Sequence, residues 1–321
     1  GNLSLIRNPK GFNWDFSFNA SLVHNKIIKL PYNGNENNRQ GGTQVFDPKT
    51  QQVIWVGGYQ EGHTMGDIYA YKQVKILSDW NEVNTMAGDY IDMIAGLYGP
   101  NVSDADKKKY GLTKPIEPGD VLWADLDGNH KIDQLDRVKV GNIYPKWTGG
   151  FSTTLSYKNV SLYGRFDFAL GHTILNMVAM RSLGQSVGFK NIIKEGLKTW
   201  TEENTNTDLP KSYYDDSTNK KNIYRDTKGS DITSVNDRSS RFYEKGDYLA
   251  LRELTLNWKL PVNWISKVGM TNASVYITGQ NLFYITGYSG SSPEAPLTYP
   301  GVDAGRYPTP RTVLVGASVS F

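Results

Sequence analysis

The residues with the clearest chemical potential lie in one short run, Asp125-Leu126-Asp127-Gly128-Asn129-His130-Lys131-Ile132-Asp133-Gln134-Leu135-Asp136. Oxygen-bearing side chains stand at positions 1, 3, 5, 9 and 12 of this run, and Lys131 at position 7 can offer its backbone carbonyl. This is the ligand spacing of an EF-hand-type calcium loop. Calcium takes about six to eight oxygens around a tight turn, and the register offers Asp125, Asp127, Asn129, Lys131, Asp133 and Asp136. Two positions depart from the pattern. His130 stands where glycine normally makes the sharp turn, and position 12 is the shorter Asp136 rather than Glu. The same residues also suit an Asx-rich turn held by side-chain-to-backbone hydrogen bonds. A calcium ion is thus the one cofactor the residues suggest, and none is required elsewhere.

Catalytic constellations are missing. The histidines, His24, His63, His130 and His172, are far apart in sequence, with no His-Glu-x-x-His pair and no Gly-x-Ser-x-Gly elbow. No glycine loop is placed to cradle a phosphate between a strand and a helix. Adjacent carboxylates such as Glu202-Glu203 and Asp215-Asp216 sit in polar loop sequence and read as solvated. The absence of cysteine removes a thiol nucleophile, a thiolate zinc site and any disulfide framework. No catalytic residue nominates itself, and an enzyme is not expected. Trp55, Trp80, Trp123, Trp200 and Trp264 could stack on sugars or peptide side chains. Interfacial or loop packing is the alternative for each.

The elements that must position these residues are strands. Of the 321 residues, 38% are apolar and 12% aromatic, and 32 are glycine, a balance suited to short strands and turns. The net charge of +3 argues for neither nucleic acid nor a strongly acidic partner. No stretch approaches the roughly 18 apolar residues of a membrane helix. Apolar and polar residues instead alternate over segments of about ten. Trp14, Phe16, Phe18, Ala20 and Leu22 form one such series; Leu254, Leu256, Trp258 and Leu260 form another. Strands are expected near 1–7, 13–23, 51–57, 67–77, 147–157, 160–170, 247–259, 272–282 and 311–321, with a tight turn at Lys158-Asn159. The links between them run short, long, short, long. Outer-membrane barrels alternate short periplasmic turns with long extracellular loops, whereas a soluble sandwich has no reason to. Short helices are expected at 174–184 and 189–200, the second with Ile192, Ile193, Leu197 and Trp200 on one face, and open loop from Glu202 to Asp237. Phe321 ends the sequence on the alternating series Val313, Val315, Ala317, Val319.

Several motifs together resemble the C-terminal part of SusC/RagA-type TonB-dependent transporters of Bacteroidota. The run Gly119-Asp120-Val121-Leu122-Trp123-Ala124-Asp125 through Asp136-Arg137, then Gly141-Asn142-Ile143-Tyr144-Pro145, is similar to that family's acidic loop leading into a barrel strand. Glu61-Gly62-His63-Thr64-Met65-Gly66-Asp67-Ile68-Tyr69-Ala70-Tyr71 resembles a family segment that more often has Pro at the fourth position and Gly between the tyrosines. Asp247-Tyr248-Leu249-Ala250-Leu251-Arg252 resembles another strand, and Gly279-Gln280-Asn281-Leu282-Phe283 with Tyr307-Pro308-Thr309-Pro310-Arg311-Thr312 the closing hairpin.

The resemblance implies an all-β fold: an antiparallel transmembrane β-barrel of about 22 strands with a plug in its lumen. About nine strands and long extracellular loops with short helices are expected here. Residues 1–321 would form the C-terminal portion, with the plug and the N-terminal barrel strands outside this chain. Residence in the bacterial outer membrane is implied. So is import of oligosaccharides or peptides with a SusD-like surface lipoprotein, driven by TonB through the N-terminal part. The expected partners are that lipoprotein, the remaining barrel and plug, TonB, outer-membrane lipid and the substrate, and not nucleic acid. Two alternatives stay open: a soluble or surface-anchored β-rich glycan-binding protein, and a siderophore-type TonB-dependent receptor.

Overall fold

The computed structural model describes residues 1–8, 11–183, 193–212, 239–294 and 301–321. Seven of the alternating segments pair into one antiparallel sheet. They are β1 (Asn2–Ile6), β2 (Phe12–Leu22), β3 (Trp147–Tyr157), β4 (Val160–Leu170), β5 (Tyr248–Lys259), β6 (Asn272–Thr286) and β7 (Thr312–Ser320). Their order in the sheet is their order in the chain. Within the sheet the links alternate strictly between short turns at one end and long insertions at the other. The tightest turn joins β3 and β4, where Lys158 takes a left-handed φ of 52°.

Register shows why the alternation matters. Residues directly opposite share a face of a sheet. Trp14, Leu155, Leu162, Leu256, Ile277 and Val315 lie in one row across six strands. Phe12, Tyr157, Val160, Trp258, Val275 and Ala317 form the adjacent row on that face. Between them, on the opposite face, runs Asn13, Ser156, Ser161, Asn257, Tyr276 and Gly316. One face is therefore mainly apolar, with Thr153 accepting from Trp14 Nε1 within it, and the other mainly polar. The apolar face is left uncovered: Val315 is 79% exposed and Phe321, one step beyond β7, 84%.

Two expected strands belong elsewhere. Residues 51–57 and 67–77 do form strands, Gln52–Val56, Asp67–Tyr71 and Gln73–Ile76, but none joins the large sheet. Among the described residues the wall has seven strands rather than about nine. Gln52–Val56 closes a hairpin with Thr43–Asp47; Asp67–Tyr71 pairs with Arg137–Asn142 and Gln73–Ile76 with Val121–Trp123. The physical reason is burial. Ile68, Ala70 and Tyr71 are all buried inside the layer these short strands build, against partners that lie in the same insertion.

These strands build a layer from the insertion between β2 and β3. Its core gathers Tyr71, Ile76, Leu77, Val83, Trp123 and Ile132, together with Trp200 from the next insertion. The hydrophobic core thus sits in the loops. Residues 174–176, expected as helix, extend in the strand Thr173–Asn176, because Tyr243–Lys245 and Val302–Asp303 flank it in a three-stranded sheet. The helix that follows is Met177–Leu183. Of the second expected helix residues 193–200 are described, and among them Lys194–Lys198 forms a short 3-10 turn; Leu197 is exposed while Trp200 is buried, so they share no buried face. Ile192, and the part of the expected loop beyond residue 212, lie outside the described residues.

Trp123→Ala should remove about 3–5 kcal/mol of packing from the loop core. Limited proteolysis should then cut within 67–142, while heat-modifiable migration of the strand wall on gels stays unchanged. Loss of both would show that layer and wall share one core.

Candidate functional site

The acidic run folds as a closed loop. Asp125 accepts hydrogen bonds from the backbone N–H groups of Gly128 (2.8 Å) and His130 (2.7 Å), one on each oxygen. Asp127 accepts from the Asn129 N–H at 3.1 Å, and Asn129 Oδ1 from the Lys131 N–H at 2.7 Å. Asp136 closes the ring, accepting from Leu126 (2.8 Å) and Asp133 (2.9 Å). His130 adopts φ 61°, the left-handed conformation for which glycine is normally chosen. The departure at position 6 therefore leaves the turn intact.

The expected ligand positions divide. Asp125, Asp127 and Asp136 bring carboxylate oxygens within 4.8 Å of one another. Asp133 is turned away and caps the 3-10 turn Gln134–Asp136, accepting from the Leu135 N–H at 2.7 Å. Asn129 is exposed, its amide held by Asp127 and by Lys131. The carbonyls of His130 and Ile132 accept from Ile91 and Met93. Alternation along a strand then points the Lys131 carbonyl to the other side. The Lys131 ammonium lies 5.2 Å from the centre of the Tyr110 ring, away from the carboxylates.

Electrostatics follow from crowding. Burial pushes Asp136 up to about 6, against the two N–H groups that favour its charged form. Burial and then the neighbouring Asp125 raise Asp127. Arg137 fixes the loop to the layer, donating to the Gln134 carbonyl and, at 2.7 Å, to Thr43 Oγ1 of the Thr43–Asp47 strand.

A second polar constellation stands on the polar face of the wall. Arg252 is the extra residue where pairing with β4 slips, between Phe166↔Leu251 and Arg165↔Glu253; pairing with β6 slips at the same place, with the extra residue there on β6. This bulge keeps Leu251 and Leu254 on the apolar face and aims Arg252 at the other. Its guanidinium bonds Asp167, Glu294 and, at 3.0 Å, the Tyr284 hydroxyl. Alternation did not single out Arg252; the slip in period within 251–254 was the only signal. The expected tryptophan platforms separate. Trp123 and Trp200 are core, Trp55 is covered by the Arg39 guanidinium at 3.7 Å, and Trp80 and Trp264 are exposed. Among the described residues, the only convergent group of acidic or histidine side chains suited to a metal is the Asp125–Asp127–Asp136 set.

No protein-family model matches the chain. It is 30% identical over 319 residues to TonB-dependent receptor P3 of Formosa agariphila, covering 97% of this chain and 27% of that protein. To TonB-dependent receptor SusC of Bacteroides thetaiotaomicron it is 24% identical over 324 residues, 97% of this chain and 25% of that one. The chain thus spans about a quarter of the length of these relatives. They are receptors rather than enzymes. In structure it is similar to the RagAB peptide transporter, with a TM-score of 0.62 at 21% identity, over 100% of this chain and 28% of that one. The closed-closed state of that importer gives 0.58. This second likeness is one of fold.

Removing Asp136 should loosen the acidic loop selectively. Asp136→Ala leaves the N–H groups of Leu126 and Asp133 without their acceptor, at about 1–3 kcal/mol each. Amide exchange across 124–137 should accelerate, with Asp136→Asn intermediate. Unchanged exchange in Asp136→Ala would show that the backbone alone holds the turn.

Proposed function

With the chain homologous to SusC-type TonB-dependent receptors, we propose that it forms the C-terminal part of the barrel wall of an outer-membrane importer. The importer takes up oligosaccharides or peptides, works with a SusD-like surface lipoprotein and draws energy through TonB. The observation that carries this reading is the wall itself. Seven sequential antiparallel strands present one mainly apolar, uncovered face, with short turns at one end and folded loops at the other. Such a face suits hydrocarbon, where every backbone polar group must be paired by a neighbouring strand. The two free edges, β1 and β7, require further strands to close the cylinder. A soluble glycan-binding protein has no use for the uncovered face. A siderophore receptor would share the wall but lack the lipoprotein.

The test is extraction of the protein from outer membranes in detergent, followed by mass analysis of what copurifies. An N-terminal barrel-and-plug segment and a surface lipoprotein are expected. Recovery as a detergent-free soluble monomer would overturn the barrel; recovery with no lipoprotein would favour a siderophore-type receptor.

We also propose a calcium ion for the acidic loop, held by Asp125, Asp127 and Asp136, with Asn129 and the Lys131 carbonyl completing the oxygen set. The convergence of the Asp125, Asp127 and Asp136 oxygens supports it, together with the hydrogen bonds that positions 1, 3 and 5 accept from later N–H groups, which hold these side chains in the loop. Asp133 would reach the ion only through water. Calcium should slow proteolysis near residues 120–140 in the wild type, and Asp127→Ala should abolish that gain. No calcium effect on the wild type would remove the metal from the reading.

A further inference from the structure

The short link between β5 and β6 differs from the other turns. Residues Val262–Ile265 form one helical turn, continued by the 3-10 turn Ser266–Val268. Ile265 is buried, but Val262, Trp264 and Val268 are 66%, 61% and 63% exposed. A polar turn would have sufficed to reverse the chain. Trp264 packs edge-on against Trp258, with centroids 6.1 Å apart. Trp258 lies in the apolar row with Val160 and Val275. The exposed side chains of the link therefore continue the apolar face around its rim instead of tucking under the lumen.

Charge at this rim has one sign. The links at 7–11, 158–159 and 260–271 contain Arg7, Lys158 and Lys267 among their basic residues and no Asp or Glu. Lys259 closes β5. Its N–H donates to the Asn159 carbonyl at 2.8 Å, and Asn159 Nδ2 donates to the Lys259 carbonyl at 3.2 Å. The two turns are thereby tied side by side, and the exposed Lys158 and Lys259 stand together next to the link.

We propose that the 260–271 link is an interfacial anchor, which lies in the headgroup region at the short-turn end and takes phospholipid with an anionic headgroup. The proposal rests on the barrel-wall reading. Two observations select the occupant. Continuity with the uncovered apolar face requires a partner that covers both, which a lipid leaflet does. The acid-free basic rim fits the phosphates of that leaflet. Trp264 supplies an amphipathic ring at the headgroup level, Val262 and Val268 the shallow apolar contact, and Lys158, Lys259 and Lys267 the ion pairs.

The experiment uses the full-length transporter in nanodiscs of equal parts phosphatidylcholine and phosphatidylglycerol. The chain has no cysteine, so in a transporter cleared of any cysteine outside it single spin labels can be placed at Trp264→Cys, at Val315→Cys on the wall and at Lys49→Cys in an exposed loop. The labels at 264 and 315 should relax faster with oxygen than with a water-soluble nickel chelate, and the label at 49 the reverse. Native mass spectrometry should show phosphatidylglycerol retained over phosphatidylcholine. The variant carrying Lys158→Gln, Lys259→Gln and Lys267→Gln should lose that preference by about tenfold. A label at 264 as open to nickel as that at 49, with 315 still dry, would overturn the anchor and leave the wall reading standing. An unchanged lipid preference in the triple variant, or protection of residue 264 only on adding periplasmic extract, would overturn it too. A wet label at 315 would fail the wall reading itself.

Discussion

Everything in this chain depends on the pairing of backbone N–H and C=O groups between neighbouring long strands. A strand with one face uncovered keeps its backbone satisfied only through its two neighbours, since a break in the ladder leaves polar groups without partners. This constraint explains the length of β2 to β6 and the near-continuous register between β2, β3 and β4. It also makes the side-chain period strictly two. A single-residue slip would carry an entire series such as Leu254, Leu256 and Trp258 to the polar face. The slip between β4 and β5 is a bulge that restores the phase, and its extra residue, Arg252, is neutralised at once by Asp167 and Glu294.

Because the wall turns its apolar face outward, it has no hydrophobic core of its own. The loops reverse that sign. Leu77, Val83, Ile116 and Ile132 are fully or almost fully buried, and each such side chain contributes about 1.5–3 kcal/mol. The acidic loop is placed by this core. Ile132 anchors it from inside the run, Arg137 ties it to the Thr43–Asp47 strand, and the parallel bridge to Ile91 and Asp92 holds its middle. Three carboxylates can then be held close together because their N–H partners come from the same rigid turn.

Much of this is legible in the residues. Period-two alternation finds every wall strand, and Lys158-Asn159 marks its turn, because these depend on local pattern and on a solvent that is uniform along the face. The spacing of Asp125, Asp127 and Asn129 gives the acidic loop, since each bonds an N–H only two to five residues on. What fails is whatever depends on distant partners. Asp67–Tyr71 has the composition of a wall strand, yet its ladder partner is Arg137–Asn142. Ile174 and Leu175 read as helix until Tyr243 pairs with Leu175. Trp123 and Trp200 look alike to Trp80 in sequence, and only the third dimension buries the first two.

The joint between wall and loops is the point where two opposite rules of burial meet, and its chemistry follows from that. A hydrophobic joint would have to choose between the outward apolar face and the inward loop core. The observed joint is polar and directional. Asp247 Oδ1 accepts from the Gly171 N–H at 2.6 Å, binding the loop ends of β4 and β5 together. His172 Nε2 lies 3.3 Å from the Pro293 carbonyl, and Glu294 in the same segment meets Arg252 on the wall. Tyr288 donates to the buried Asp303 at 2.8 Å within the third loop. Hydrogen bonds of this kind carry little net stability but fix orientation, because a displaced partner leaves a desolvated charge uncompensated. Such a joint sets the loops in one orientation on the wall without a shared core. Loop sequences can then vary while the alternation in the wall is preserved.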